Sequence, residues 1–246
     1  MSKSENIVIA TIKSWNIDNA KRFQEKYAKT LNVSVLTSKE ELNLLNLSEI
    51  EPRFIFFPHW SWKIPKEIYE RYECIVFHST DLPFGRGGSP VQNLISRRLH
   101  ETKVSAVRVV EKMDAGPLYM KESLSLYGST AEEIYMRMSQ IIFEKMLPRI
   151  IEDSVTPVPQ TGEVTVFKRF RPEDSLIDKA IQLESLFDKI RMLDAEGYPK
   201  AFLELDNLVL EFSRAALYSD GIHADVVIKR KDEYNEETNT DNCSSS

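Results

Sequence analysis

Cysteine is scarce: the 246 residues hold two, Cys74 inside an apolar run and Cys243 in a polar tail. That excludes a disulfide framework, and neither falls at metal-ligand spacing. The four histidines, His59, His78, His100 and His223, are scattered, with no HExxH and no Cys-x-x-Cys, so no metal site is expected. No run approaches the ~20 apolar residues that span a bilayer, and no membrane partner is expected. MSKSEN leads into the strand-like IVIAT without a secretory core, which points to a cytoplasmic protein. A basic excess is also missing. Net charge is −6, and the stretch from Lys231 to Ser246 sets five acidic residues against one lysine, leaving the body only slightly negative. Proteins that grip a long nucleic-acid backbone show a basic stripe or domain, so no nucleic acid is expected as a partner.

What is present describes an ordinary globular chain, 42% hydrophobic and 28% charged, long enough for one sizeable core and a small appendage. Asn6 to Thr11, Val33 to Leu36, Phe54 to Phe57 and Cys74 to Phe77 read as buried strands. Between them lie a helical pattern over Ile17 to Tyr27, a helix from Lys39 capped by Thr37-Ser38, and a helix opened by Ile64-Pro65. Such alternation predicts an α/β fold with an open, mostly parallel sheet covered on both faces. Lys103 to Val110 and Leu118 to Leu126 are further strands, and Ser129-Thr130 caps a long amphipathic helix to about Glu152. Thr156 to Gly162 reads as a crossing loop and Val164 to Phe170 as a strand. A helix over Ala180 to Leu193 precedes short strands between Ala201 and Ile228, a small C-terminal β appendage.

The chemistry concentrates in Cys74 to Pro90, CIVFHSTDLPFGRGGSP. A buried strand ends on His78 and gives way to a loop rich in proline and glycine. Strand ends of this kind are where open α/β sheets bind ligands. Thr80, Leu82-Pro83, Arg86-Gly87 and Pro90 follow His78, and Met113-Asp114-Ala115-Gly116 lies further on. These paired blocks resemble the family of formyltransferases that use 10-formyltetrahydrofolate, whose pattern is Asn-x-His-x-Ser-x-Leu-Pro followed later by Asp-Ala-Gly. The resemblance implies a Rossmann-like formyltransferase fold. One departure stands out: the family's Asn is Val76 here.

Formyl transfer is attack by an amine on an amide-like carbon, so it needs an oxyanion donor and a path for protons. The resemblance assigns His78 to oxyanion stabilisation and proton movement, and Asp114 to positioning His78 and accepting the proton; the alternative for Asp114 is a plain turn residue. Val76 has no hydrogen-bonding side chain, and His59, Thr80 and Asn93 are candidates to replace the missing donor. The resemblance places folate against the backbone of Trp62, Lys63 and Ile64 and of Val110, Glu111 and Lys112. Trp15, Trp60 and Trp62 all follow strands and either stack a flat heterocycle or plug the core. Arg86 is a candidate for holding an anionic group or is a simple loop charge, and Lys13, Asn16 and Trp15 are further substrate-binding candidates.

Within the family, Arg169 to Ile177 (RFRPEDSLI), which resembles a closing segment that is commonly Arg-x-Pro-x-Asp, and the modest length after Tyr198 resemble sugar N-formyltransferases, homodimers that formylate nucleotide-linked amino-dideoxysugars. The expected acceptor is the UDP-linked 4-amino-4,6-dideoxy-N-acetyl-altrosamine of the pseudaminic acid pathway. The alternatives are a methionyl-tRNA formyltransferase-like enzyme, a folate- or nucleotide-binding protein without catalysis, and a formyl-tetrahydrofolate hydrolase. The expected organisation is a catalytic domain over residues 1–178, a helix and β appendage over 179–228, and a disordered acidic tail over 229–246.

Overall fold

The apolar runs over residues 7–10, 54–57 and 74–77 build the middle of the central sheet in the computed structural model, which describes residues 5–232 and 234. The chain runs through β1 (Glu5–Ala10), α1 (Ser14–Tyr27), β2 (Leu31–Leu36), α2 (Leu44–Ile50), β3 (Phe54–Phe57), α3 (Lys66–Tyr69) and β4 (Glu73–His78). Next come a two-residue strand β5 (Arg86–Gly87), α4 (Pro90–Ser96), β6 (Glu101–Arg108) and β7 (Leu118–Ser125). The strand order is β2-β1-β3-β4-β6-β7. The first four strands are parallel, and β6 and β7 are antiparallel to their neighbours. This is the expected α/β fold with a mostly parallel sheet.

Alternation along the strands divides the core. Val8 and Ala10 of β1 and Ile55 and Phe57 of β3 join Leu47 of α2 and Ile68 of α3 in one buried cluster. Ile7, Ile9, Phe54 and Phe56 point to the opposite face, where Phe56 stacks near Phe77 at 6.2 Å. On α1, Phe23 meets Phe143 edge-on, and Asn19 donates to Ser139 at 2.8 Å.

Two helices differ from the sequence pattern for local reasons. Thr37 and Ser38 do attract Glu41, whose carboxylate accepts from both backbone N–H groups, but this closes a turn and does not start a helix. The helix begins six residues later, where the side chain of Asn43 caps Asn46 N at 2.9 Å. The long helix after Thr130 is interrupted: α5 (Ala131–Ile141) passes through a π-helical stretch, Ile142–Met146, into α6 (Leu147–Glu152). Pro148 has no N–H to offer and its ring crowds the preceding turn, which the wider π turn relieves.

After β8 (Val166–Phe167) come α7 (Leu183–Leu193), β9 (Ala201–Leu205), β10 (Leu208–Tyr218) and β11 (Gly221–Arg230). The last three form an antiparallel sheet in the order β11-β10-β9, the expected C-terminal β appendage. The chain forms two compact units. The first comprises Met1–Pro90, Glu101–Ser125 and Tyr135–Lys168 and contains the six-stranded sheet. The second comprises Val91–His100, Leu126–Ile134 and Arg169–Ser246 and contains the three-stranded one. β11 runs through Lys229 and Arg230. Lys231 and Asp232 are also ordered, Tyr234 is buried against Phe202 and Val209, and the remaining residues of the expected acidic tail, Glu233 and 235–246, lie outside the described residues. Among the described residues, no helix is long and apolar enough to cross a membrane.

Candidate active site

His78 is the last residue of β4, held between β3 and β6, and only 9% of it is exposed. Its Nε2 lies 2.7 Å from Gly85 O, so Nε2 carries the proton and donates to that carbonyl. The other ring nitrogen, Nδ1, faces Asp114 Oδ2 at 3.6 Å. The two side chains are 90% removed from solvent, so little water screens the pair. Asp114 adopts a left-handed backbone, φ 54°, and its Oδ2 also accepts from Gly87 N at 2.8 Å. The structure therefore brings together the two residues that the paired motifs singled out, 36 positions apart in sequence.

The segments around this pair are anchored on several sides. Ser105 donates to Thr80 O at 2.7 Å, and Thr102 donates to Ser79 O, fixing the chain just after His78 to β6. Gly85 N donates to Thr165 Oγ1 at 2.7 Å, and β5 pairs in parallel with β8. A Cβ at Gly116 would lie 1.9 Å from Arg108 O, so only glycine permits this approach of the Asp114 loop to the end of β6. Gln160 was legible in sequence only as part of a crossing loop. Its Oε1 accepts from Arg86 Nε and Nη2 at 3.2 and 2.7 Å, and its Nε2 donates to Asp114 O and Gly116 O at 2.7 and 2.8 Å.

The other candidates fall in several places. Val76 packs against two apolar clusters, one of them formed by Leu82, Val107 and Leu118. Of the residues considered in its place, Thr80 is fully buried and donates to Gly85 O at 3.3 Å. His59, in the left-handed region at φ 58°, meets Trp15 and Tyr135 edge-on at 6.0 and 5.0 Å. Asn93 belongs to the second unit, on α4, where its Oδ1 accepts from Arg97 at 2.9 Å. The loops after β1 and β3 lie together: Thr11 Oγ1 donates to Pro58 O, and Trp15 lies parallel to Tyr135. Trp60 meets Phe57 and Trp62 edge-on. Trp15 and Asn16 are buried, whereas Lys13 and Trp62 are half-buried. Ile64 is buried in the core, Val110 is half-buried, and Lys63, Glu111 and Lys112 are exposed. Trp15 and Asn16, expected on the loop after β1, lie in the first turn of α1, and three buried polar atoms there and in the loop after β3 have no partner: Trp15 Nε1, Asn16 Oδ1 and Trp60 Nε1. Two donors and an acceptor left unpaired at strand ends are what a polar heterocyclic ligand would satisfy.

A cavity of about 720 Å³ also opens within the second unit, among Glu173, Asp174, Asp178, Lys179, Lys189 and Asp206. It shares no residue with the set above, and its acidic wall does not suit an anionic ligand. Among the described residues, no group of three or more His, Cys, Asp or Glu side chains is arranged to hold a metal.

Known proteins place this geometry. Residues 172–229 match the family model described as the C-terminal domain of methionyl-tRNA formyltransferase. A methionyl-tRNA formyltransferase of Bacillus licheniformis is 28% identical over 180 residues, 70% of this chain and 56% of that protein. The chain spans less than two thirds of the length of this and similar curated relatives. A solved methionyl-tRNA formyltransferase from Clostridium thermocellum is 51% identical, covers 92% of this chain and 99% of its own, and superposes with a TM-score of 0.90. A sugar N-formyltransferase from a Shewanella species is 14% identical with a TM-score of 0.65, covers 92% of this chain and 96% of its own, and shares the fold alone.

The expectation of a sugar N-formyltransferase is thereby overturned. It rested on counting too few residues after Tyr198 for the tRNA-type C-terminal domain. The match to that domain begins at residue 172, and strands of 11 and 10 residues build its sheet from a short length of chain. The chain belongs to the formyltransferase family, and the relatives it matches include methionyl-tRNA formyltransferases.

Proposed function

We propose that the protein transfers a formyl group from 10-formyltetrahydrofolate to the amino group of methionyl-tRNA. The observation that carries this reading is the 51% identity to a methionyl-tRNA formyltransferase across 92% of the chain, with His78 and Asp114 adjacent in a buried site. It replaces the nucleotide-sugar acceptor expected from sequence, and with it the expectation of no nucleic-acid partner. The net charge of −6 is a sum over the whole chain, whereas a phosphate backbone is held by local cations. Lys13, Lys63, Arg86 and Lys112 lie on the loops discussed above.

The chemistry asks three things of the protein. The attacking nitrogen loses a proton, the formyl oxygen gains negative charge, and the departing folate nitrogen takes a proton. Asp114 is the proton acceptor: it is an ionisable carboxylate beside Nδ1, fixed by Gly87 N–H. The proton that Asp114 takes from the attacking amine passes, directly or through water, to the departing folate nitrogen, with His78 Nδ1 beside the carboxylate to share it in transit, so no net proton is gained or lost. To serve the oxyanion, Nε2–H exchanges Gly85 O for the formyl oxygen, which becomes the stronger acceptor as charge develops. Folate lies against the loop after β3 and the segment before Asp114, where recognition is mainly by backbone, and the unpaired indole N–H groups of Trp15 and Trp60 add donors. No donor occupies position 76, so more of the oxyanion charge falls to His78.

The test is to incubate the protein with 10-formyltetrahydrofolate and methionyl-tRNA and to identify the amino acid released after deacylation. The reading expects formylmethionine, with tetrahydrofolate appearing only when charged tRNA is present. Folate release without acceptor, or no transfer despite folate binding, would contradict it.

A further inference from the structure

We infer that Gln160 is a positioning residue that fixes Asp114 in its left-handed conformation through a closed hydrogen-bonded ring with Arg86. The inference rests on the reading of His78 and Asp114 as the reacting pair. Four links make the ring. Arg86 donates twice to Gln160 Oε1; Gln160 Nε2 donates to the carbonyls of Asp114 and Gly116; Gly87 N donates to the Asp114 carboxylate; and the peptide bond from Arg86 to Gly87 closes the circuit. Asp114 is thus gripped at both ends, its backbone carbonyl by Gln160 and its carboxylate by Gly87 N–H.

The chemistry of the amide explains why glutamine suits this place. It must accept from a guanidinium on one side and donate to two carbonyls on the other, which no charged side chain of the same length does. The guanidinium drawing on Oε1 polarises the amide and strengthens its N–H groups as donors. The loop that carries Gln160 is itself rigid. Val158 exchanges two backbone hydrogen bonds with Leu118, at 2.7 and 2.9 Å, and prolines at 157 and 159 limit its torsions. A left-handed, non-glycine residue is strained and persists only where its surroundings hold it. Here two carbonyls in that turn are held by one side chain. Arg86, with Nε and Nη2 engaged on Gln160, acts through Gln160 in the described structure, whereas sequence offered it as an anion holder.

Gln160→Glu tests this directly. It keeps the size and the acceptors facing Arg86 but removes both donors to Asp114 O and Gly116 O. Wild type, Gln160→Glu, Gln160→Ala and Asp114→Asn would be compared for formyl transfer, thermal midpoint, and hydrogen exchange of the Lys112–Gly116 amides. The expected result for both Gln160 variants is a kcat lowered about 10- to 100-fold with KM values moving less than about threefold, because a misplaced group costs turnover and not binding. Faster exchange at Ala115 and Gly116 should accompany it, along with a changed pH profile of kcat in Gln160→Glu. Unchanged exchange and kcat in Gln160→Glu, with Asp114→Asn inactive, would overturn the positioning role and leave the catalytic reading intact. Full activity in Asp114→Asn would overturn the catalytic reading, and the exchange data would still decide whether Gln160 holds the turn.

Discussion

Position 76 is where this protein departs most sharply from its family's pattern, with valine in place of asparagine. Val76 is partly buried and packs against Leu82, Val107 and Leu118, and a carboxamide there would replace that apolar packing. Restoring the family residue is therefore expected to weaken the fold. Val76→Asn should lower unfolding stability by about 1 kcal/mol, the cost of setting a polar group in apolar packing at a partly buried position. Urea denaturation measures it, and an unchanged or raised stability would mean that a partner for the amide exists. His78 and Asp114 were legible from sequence because each sits in a short motif with unusual neighbours. Gln160 was not. Its contacts reach 46 positions to Asp114 and 74 to Arg86, and nothing local in Val-Pro-Gln-Thr-Gly announces them.

The loop after β4 is the element on which the site depends, and it is stapled to the sheet by charge as well as by backbone. Asp81 meets Lys103 of β6 at 3.0 Å and Lys121 of β7. Burial pushes the Asp81 carboxyl up, but the hydrogen bonds from Lys121 and Lys103 outweigh it and hold the group below its ordinary value of 3.8. A carboxylate depressed in the folded state adds stability above its unfolded value and loses it as pH falls through the folded one. Asp81→Asn should therefore destabilise the protein at neutral pH by less than about 1 kcal/mol, since the group is half exposed. That difference should shrink as the pH drops below 3.8. A difference independent of pH in paired unfolding titrations would show that the staple is not ionic. Elements with strong local signals were readable: β1, β3 and β4 from unbroken apolar runs, α5 from its cap and stripe. The start of α2 and the π turn were not, because Glu41 and Pro148 act through geometry that a periodicity does not carry.

On the scale of the whole molecule, composition pointed away from nucleic acid, and the comparisons point toward it. A net charge of −6 bears on solubility and long-range steering, and says little about a surface that meets phosphate locally. If charged tRNA is the acceptor, its KM should rise steeply with salt, with log K falling by about 0.7–0.9 per phosphate neutralised. Lys63→Gln and Lys112→Gln, on exposed loop positions, should each lower that slope by up to about 1 while leaving the folate KM unchanged. A salt-independent KM would favour a small acceptor. The most direct measurement is the single-turnover rate of formyl transfer to methionyl-tRNA by wild type and by Asp114→Asn. The wild type should yield formylmethionyl-tRNA, and the variant a rate lowered about 100- to 10,000-fold, the range for loss of a positioned acid–base group. Equal rates in the two, or no transfer by the wild type, would contradict this reading.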